Sequence, residues 1–217
     1  KTRVIASSQH VVRIDKESKE NVSSEIEEEI INFLNSIIND IDAIILQDYN
    51  KGVLTDRIII DSISISNRCN KIIAVDPKFI NFKQYQNATI FKPNKRETEN
   101  ILGMRIESDE DISKAGNDLL TLMNAKYVLL TLGEKGIALF ERGRDEVKIP
   151  TKARKVADVS GAGDTVISTI TFALCAGASI EEAAYIANYA GGLVCEEVGI
   201  VPISKNKLFD EILSVLQ

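Results

Sequence analysis

Histidine is nearly absent from this chain: His10 is the only one among 217 residues. A Ser-His-Asp triad would have to be built on it, and nothing around it supports one. Cysteine is scarce as well. Cys69, Cys175 and Cys195 are odd in number and lack metal-ligand spacing, which argues against a disulfide framework or a zinc site and for reduced, structural thiols in a cytoplasmic setting. No apolar run reaches the roughly 18 residues that a membrane span needs, and no signal peptide is expected, so a membrane is not an expected partner. Basic residues (26) are outnumbered by acidic ones (32) and scattered, giving a net charge of −6, so nucleic acid is not an expected partner either. No Gly-x4-Gly-Lys-[Ser/Thr] phosphate loop occurs, and no Gly-x-Gly-x-x-Gly turn follows the first strand, which weakens a nicotinamide-dehydrogenase reading. Internal repeats and low-complexity linkers are missing too.

What remains is a hydrophobic share of 44%, enough for a core in one domain or one and a half. Val4–Ile5 and Val11–Asp15 predict two short strands, which by themselves read as an edge hairpin. Ser23 to Ile41 then has helical apolar spacing with acidic first turns. Continuous apolar strands are predicted at Ala43–Gln47, Ile72–Asp76, Ala88–Phe91 and Tyr127–Leu132. They alternate with helices at Thr55–Cys69, Lys95–Leu102 and Asp109–Asn124. A hairpin joins Ile137–Glu141 to Glu146–Ile149, and three helices close the chain, at about 161–176, 179–198 and 204–216. Strands that are apolar on both faces and alternate with helices predict a mostly parallel sheet covered on both sides. Ligands bind such sheets beyond the carboxyl ends of the strands, and polar residues gather there: Asp48 and Lys51, Asp76 and Lys78, Asn94 and Glu97, Thr131 and Gly133.

The stretch Asp158-Val-Ser-Gly-Ala-Gly-Asp-Thr165 carries the chemistry. Gly161, Ala162 and Gly163 let backbone approach a ligand closely, and the apolar run after them predicts a helix whose unpaired N–H groups face outward. That arrangement suits an anion such as phosphate. Asp164 either favours the helix dipole in the first turn or takes a proton from an attacking hydroxyl.

This octet resembles the second signature of the ribokinase-like (phosphofructokinase B) carbohydrate kinases. The resemblance runs from about residue 1 to the end and is strongest toward heptose 7-phosphate kinases of lipopolysaccharide core synthesis. Thr2–Ile5, Gln9–Asp15, Asp48–Leu54, Val75–Lys78 and Lys92–Glu97 carry it as well. The resemblance implies a three-layer αβα sandwich of the ribokinase type, with lid strands over residues 1–22, a nucleotide-binding and catalytic core over 23–217, and the N-terminal part of the fold missing. It implies ATP as phosphoryl donor, Mg²⁺, a sugar phosphate as acceptor, and a homodimer through the lid strands. Asp164 becomes the general base, with the N–H groups of Gly161, Ala162 and Gly163 as the anion hole. Asn94 and Glu97 match an Asn-x-x-Glu element that holds Mg²⁺, with Lys95 and Arg96 beside the nucleotide; the alternative is a plain helix start. Thr131, Gly133 and Gly136 resemble a nucleotide-binding turn, although a hairpin turn has the same residues. Asn188 and Gly191-Gly192 match positions near the adenine pocket, where small residues also serve close helix packing. Lys51 and Lys78 are candidates to neutralise phosphate, and Gln9 and Arg13, with Arg3, are candidates for the sugar phosphate. Asp158 and the loop near Gly199 fall where a monovalent cation can sit. The alternatives are a kinase of another sugar or a non-catalytic nucleotide-binding module.

Overall fold

The computed structural model describes residues 2–6, 9–151 and 157–216. Two antiparallel strands open the chain, β1 (Thr2–Ala6) and β2 (Gln9–Ile14), in a sheet of their own with a bulge at Val4/Ile5. The exposed stretch after β2 is tied down: Val22 N donates to Gly52 O, and Lys51 pairs with Glu17 at 2.7 Å.

The core follows as α1 (Ser24–Ile37), β3 (Ala43–Gln47), α2 (Asp56–Arg68), β4 (Ile72–Asp76), β5 (Ile90–Phe91), α3 (Lys95–Leu102), α4 (Asp109–Met123) and β6 (Tyr127–Thr131). The hairpin β7 (Ile137–Glu141) and β8 (Val147–Ile149) comes next, then α5 (Ala162–Cys175), α6 (Ile180–Cys195) and α7 (Lys205–Leu216). One six-stranded sheet runs β3-β4-β5-β6-β7-β8, parallel from β3 to β6 and antiparallel across β7 and β8. The expected mixed sheet is therefore present; α-helices fill the crossovers from β3 to β4 and from β5 to β6, whereas β4 passes to β5 without one.

Period-two alternation sorts the strand side chains into two cores. Val75, Val128, Leu130 and Phe140 pack with α2 and α4, while Ala74, Ile90, Leu129 and Leu139 pack with α5 and α6. Full burial of such a side chain contributes about 1.5–3 kcal/mol, so both faces of the sheet are committed and three layers result. A smaller cluster, Ile31, Ile38 and Ile65, holds α1 against α2.

Element boundaries differ from expectation by one to a few residues. Thr55 and Ser179 cap α2 and α6 rather than beginning them, each accepting a backbone N–H. β5 is only two residues long, yet ladder-type bonds continue on either side, Thr89 N to Ile73 O and Lys92 N to Val75 O. The three cysteines are free, and among the described residues no helix is long and apolar enough to cross a membrane.

Candidate active site

The carboxyl ends of β3, β4, β5, β6 and β8 and the start of β7 share one edge of the sheet, because β7 runs antiparallel to its neighbours. The N-terminus of α5 meets this edge beside β3 and β4. Gly161 caps the helix at φ 84°, and Ala162, Gly163 and Asp164 form its first turn. The exposed Asp164 carboxylate accepts a hydrogen bond at Oδ2 from the Tyr49 hydroxyl, 3.2 Å away on the loop after β3. Burial, then the charge of Asp164, raises Tyr49 above the ordinary tyrosine value, so it stays a donor.

Strand register builds the floor of the site. Gln47 pairs with Asp76, and Val75 with Phe91, so Gln47, Asp76 and Lys92 fall in one row across three strands. Asp76 and Lys92 lie two residues beyond Ala74 and Ile90, which face α5, and alternation sends them to the same side. Lys92 Nζ lies 3.1 Å from Asp76 Oδ1, with both side chains buried, and Gln47 Nε2 donates to Asp76 Oδ2 at 2.8 Å. Removing one partner of such a pair costs about 3–5 kcal/mol by stranding the other charge. On the opposite face, buried Asp48 accepts from Tyr85 Oη at 2.8 Å and from Asn50 N at 2.7 Å. Burial and the nearby Asp48 hold Tyr85 protonated far above its usual range.

Further along the edge, Asn94 and Glu97 form a reciprocal capping box on α3. Glu97 Oε2 accepts from Asn94 N at 2.9 Å, and Oε1 accepts from Lys78 Nζ at 2.6 Å. Burial alone would lower the Lys78 ammonium, but the hydrogen bond and charge of Glu97, then Asp76 and Asp48, leave it above the ordinary lysine value. Asn94 bridges to Thr131, whose N–H donates to Pro93 O. The turn after β6 closes with Leu132 N on Gly136 O. Gly136 has φ 88°, and a Cβ there would stand 2.1 Å from Ile149 O, so this approach needs glycine. Asn188, buried on α6, donates Nδ2 to Pro150 O, beside that turn.

The expected residues thus line one edge: Asp164 with its turn at one part, Lys78, Asn94 and Glu97 at the next, Thr131, Gly133, Gly136 and Asn188 beyond. Lys95 and Arg96 sit in the first turn of α3, half-buried and exposed respectively. Lys51 is held by Glu17 and lies 5.8 Å from the Tyr49 ring centroid. Gln9 and Arg13 are on β2; their side chains fall outside the described part of the structure. Asp158, in the loop before α5, accepts at Oδ1 from Ser160 N and at Oδ2 from Gly199 N. Tyr49, Gln47, Tyr85 and Lys92 were not legible as site residues. For Lys92 a signal existed: a lysine between Phe91 and Pro93 at the end of a buried strand needs a carboxylate partner, and Asp76 ends the neighbouring strand.

A family model described as pfkB family carbohydrate kinase matches residues 60–206. The chain belongs to this family. Among similar proteins, the "Bifunctional protein HldE" of Desulfatibacillum aliphaticivorans is 40% identical over 208 residues, 96% of this chain and 42% of that protein. The protein of the same name from Geotalea uraniireducens is 38% identical over 212 residues, 98% of this chain and 43% of that protein. The chain therefore spans less than half the length of these relatives. Arabidopsis thaliana ribokinase, solved with ribose and ATP, superposes with a TM-score of 0.71 at 26% identity over 89% of this chain and 60% of that one. Phosphofructokinase-2 from Escherichia coli, solved with potassium, has a TM-score of 0.76 at 18% identity, covering 88% and 63%, and shares the fold. The ribokinase-like architecture expected from the signature octet is thereby established.

Proposed function

We propose that this chain is the phosphoryl-transfer part of an ATP-dependent sugar kinase, with heptose 7-phosphate as acceptor and its anomeric hydroxyl as the site of transfer. The product would be a 1,7-bisphosphate serving lipopolysaccharide core precursors in the cytoplasm. The observation that carries the kinase reading is Asp164 in the first turn of α5, directly after the small residues Gly161, Ala162 and Gly163; the Ala162 N–H donates to Val159 O at 3.3 Å and would have to turn from it to the phosphoryl group. Asp164 takes the proton of the attacking hydroxyl, and the N–H groups at residues 161–163 hold the charge on the transferred phosphoryl. The acceptor hydroxyl replaces Tyr49 at Asp164 Oδ2.

Mg²⁺, bound with the nucleotide, neutralises phosphate charge. The residues fit it: Glu97 Oε1 already faces a cation, Lys78, and Mg²⁺ is commonly held by one or two carboxylates together with phosphate oxygens. Glu97, with Asn94 behind it, would hold the ion, and Lys78 would turn to the phosphates. Thr131, Gly133, Gly136 and Asn188 border the nucleotide, with Lys95 and Arg96 nearby. A monovalent cation near Asp158 belongs to this reading by resemblance. So does a homodimer through β1 and β2, where Val4, Val12 and Ile14 are exposed.

The acceptor is supported by the resemblance of Gln9–Asp15 and Asp48–Leu54 and by the similarity to proteins named HldE. A phosphorylated sugar needs cations of its own, and arginine grips phosphate through paired hydrogen bonds. Arg3 and Arg13 are register partners on β1 and β2, and Lys51 is on the loop to which the adjoining stretch is tied. The test is a phosphoryl-transfer assay on the full-length protein with heptose 7-phosphate, fructose 6-phosphate, ribose and unphosphorylated heptose. Preference for an unphosphorylated sugar rejects the acceptor and keeps the kinase; ATP consumption that no sugar stimulates rejects both.

A further inference from the structure

One side-chain cluster takes no part in that chemistry. Lys92 and Asp76 are almost wholly buried, with side-chain exposures of 3% and 6%. Both oxygens of Asp76 are engaged, one by Lys92 and the other by Gln47. An ammonium has three N–H donors, so Lys92 keeps donor capacity beyond this one carboxylate. Gly163 stands directly over the pair. The first carbon of any side chain there would lie 3.4 Å from Lys92 Nζ and 3.6 Å from Asp76 Oδ2. The first turn of α5 therefore rests on a buried ion pair supplied by the ends of two strands.

Folding alone gives little reason for such a pair. Two charges lose their hydration when buried, and apolar residues of similar volume often leave a protein equally stable or more so. A fixed charge pair in a low-dielectric floor does hold neighbouring dipoles in place, and an ammonium beside a helix N-terminus adds to the field on an anion bound there. Gln47, from a third strand in the same row, fixes the carboxylate that fixes the ammonium.

We infer that Lys92 is a positioning residue: it seats the Gly161–Asp164 turn and strengthens the hold of that turn on the terminal phosphate of a nucleoside triphosphate, with Asp76 and Gln47 orienting it. This rests on reading the turn as the phosphoryl hole. A purely structural pair would affect stability, or all nucleotides alike; a seat for the terminal phosphate discriminates triphosphate from diphosphate.

The experiment uses the full-length protein carrying Asp76→Asn and Lys92→Met together, so that no buried charge is stranded. Thermal denaturation and calorimetric binding of ADP and of a non-hydrolysable ATP analogue are measured, followed by kcat and KM with any sugar the wild type accepts. The variant is expected to melt near the wild type and to bind ADP within about twofold, while the ATP analogue binds about tenfold more weakly. Loss in kcat, with sugar KM unchanged, is expected to be of similar size. Equal affinity for both nucleotides as in wild type, or equal loss of both, overturns the proposal. Should the double variant not fold, Gln47→Leu keeps both charges and carries the test: a triphosphate-specific loss of about threefold is expected, and an unchanged ratio overturns the proposal. The nucleotide comparison needs no sugar. A wild type that binds ATP but phosphorylates none of the sugars therefore counts against the kinase reading, and the seat is still judged by the binding ratio. A wild type that binds neither nucleotide ends both.

Discussion

Tyr49 and Asp164, 115 positions apart in sequence, meet through a 3.2 Å hydrogen bond from the phenol to the carboxylate. The bond joins the loop after β3 to the first turn of α5, and under the proposed kinase reading it lies where the acceptor hydroxyl would arrive.

Replacing Asp164 by Asn should lower kcat by about 10²–10⁴-fold, the usual contribution of a general base. Nucleotide affinity should stay within about threefold, because the backbone N–H groups of the turn remain. A rate assay and calorimetry with an ATP analogue check both, and near-normal turnover would remove Asp164 from the role.

Tyr49 should titrate late. Its folded value is raised by burial and then by Asp164, so the stability linked to its protonated form is complete below the unfolded value of about 10 and is lost as pH rises through the folded value. Tyrosinate absorbance, taken as the difference between wild type and Tyr49→Phe, should show this delayed step. The step should move to lower pH in the Asp164→Asn background. A Tyr49 that titrates identically in both backgrounds contradicts the contact.

Glu97→Gln should raise the Mg²⁺ concentration needed for half-maximal rate by about tenfold and leave sugar KM nearly unchanged, since Mg²⁺ strongly prefers carboxylate oxygen. The same change removes the negative partner of Lys78. A Mg²⁺ titration superimposable on wild type would refute the assignment.

Gly136→Ala should destabilise the protein by at least about 1–3 kcal/mol, because the residue has positive φ and its Cβ would collide with the backbone of Ile149. Chemical denaturation followed by circular dichroism measures the loss. A midpoint equal to wild type would mean that the turn between β6 and β7 relaxes freely.

The sheet was legible because β3, β4 and β6 are unbroken apolar runs, and such runs have few alternatives once helices separate them. Helix starts were read one residue early at Thr55 and Ser179, since a capping residue and a first helical residue share the same sequence preference. In the site, Asp164 and its small-residue turn were visible because they are contiguous. The Gln47–Asp76–Lys92 row was not, because it exists only once the register of β3, β4 and β5 is known. Tyr49 escaped notice for a similar reason: an exposed tyrosine gives no local sign that its hydroxyl reaches a carboxylate on another element.

Parallel pairing from β3 to β6 has a kinetic consequence. Each rung of that part of the sheet joins residues separated by a connecting segment, and helices fill the crossovers from β3 to β4 and from β5 to β6. The chain must close those long loops before any strand-end residue finds its neighbour, and such non-local closure is slow. Helical signal should therefore return early on refolding, while the proposed phosphoryl transfer would return last. Turnover is then a stricter gauge of the native state than any spectrum of its backbone.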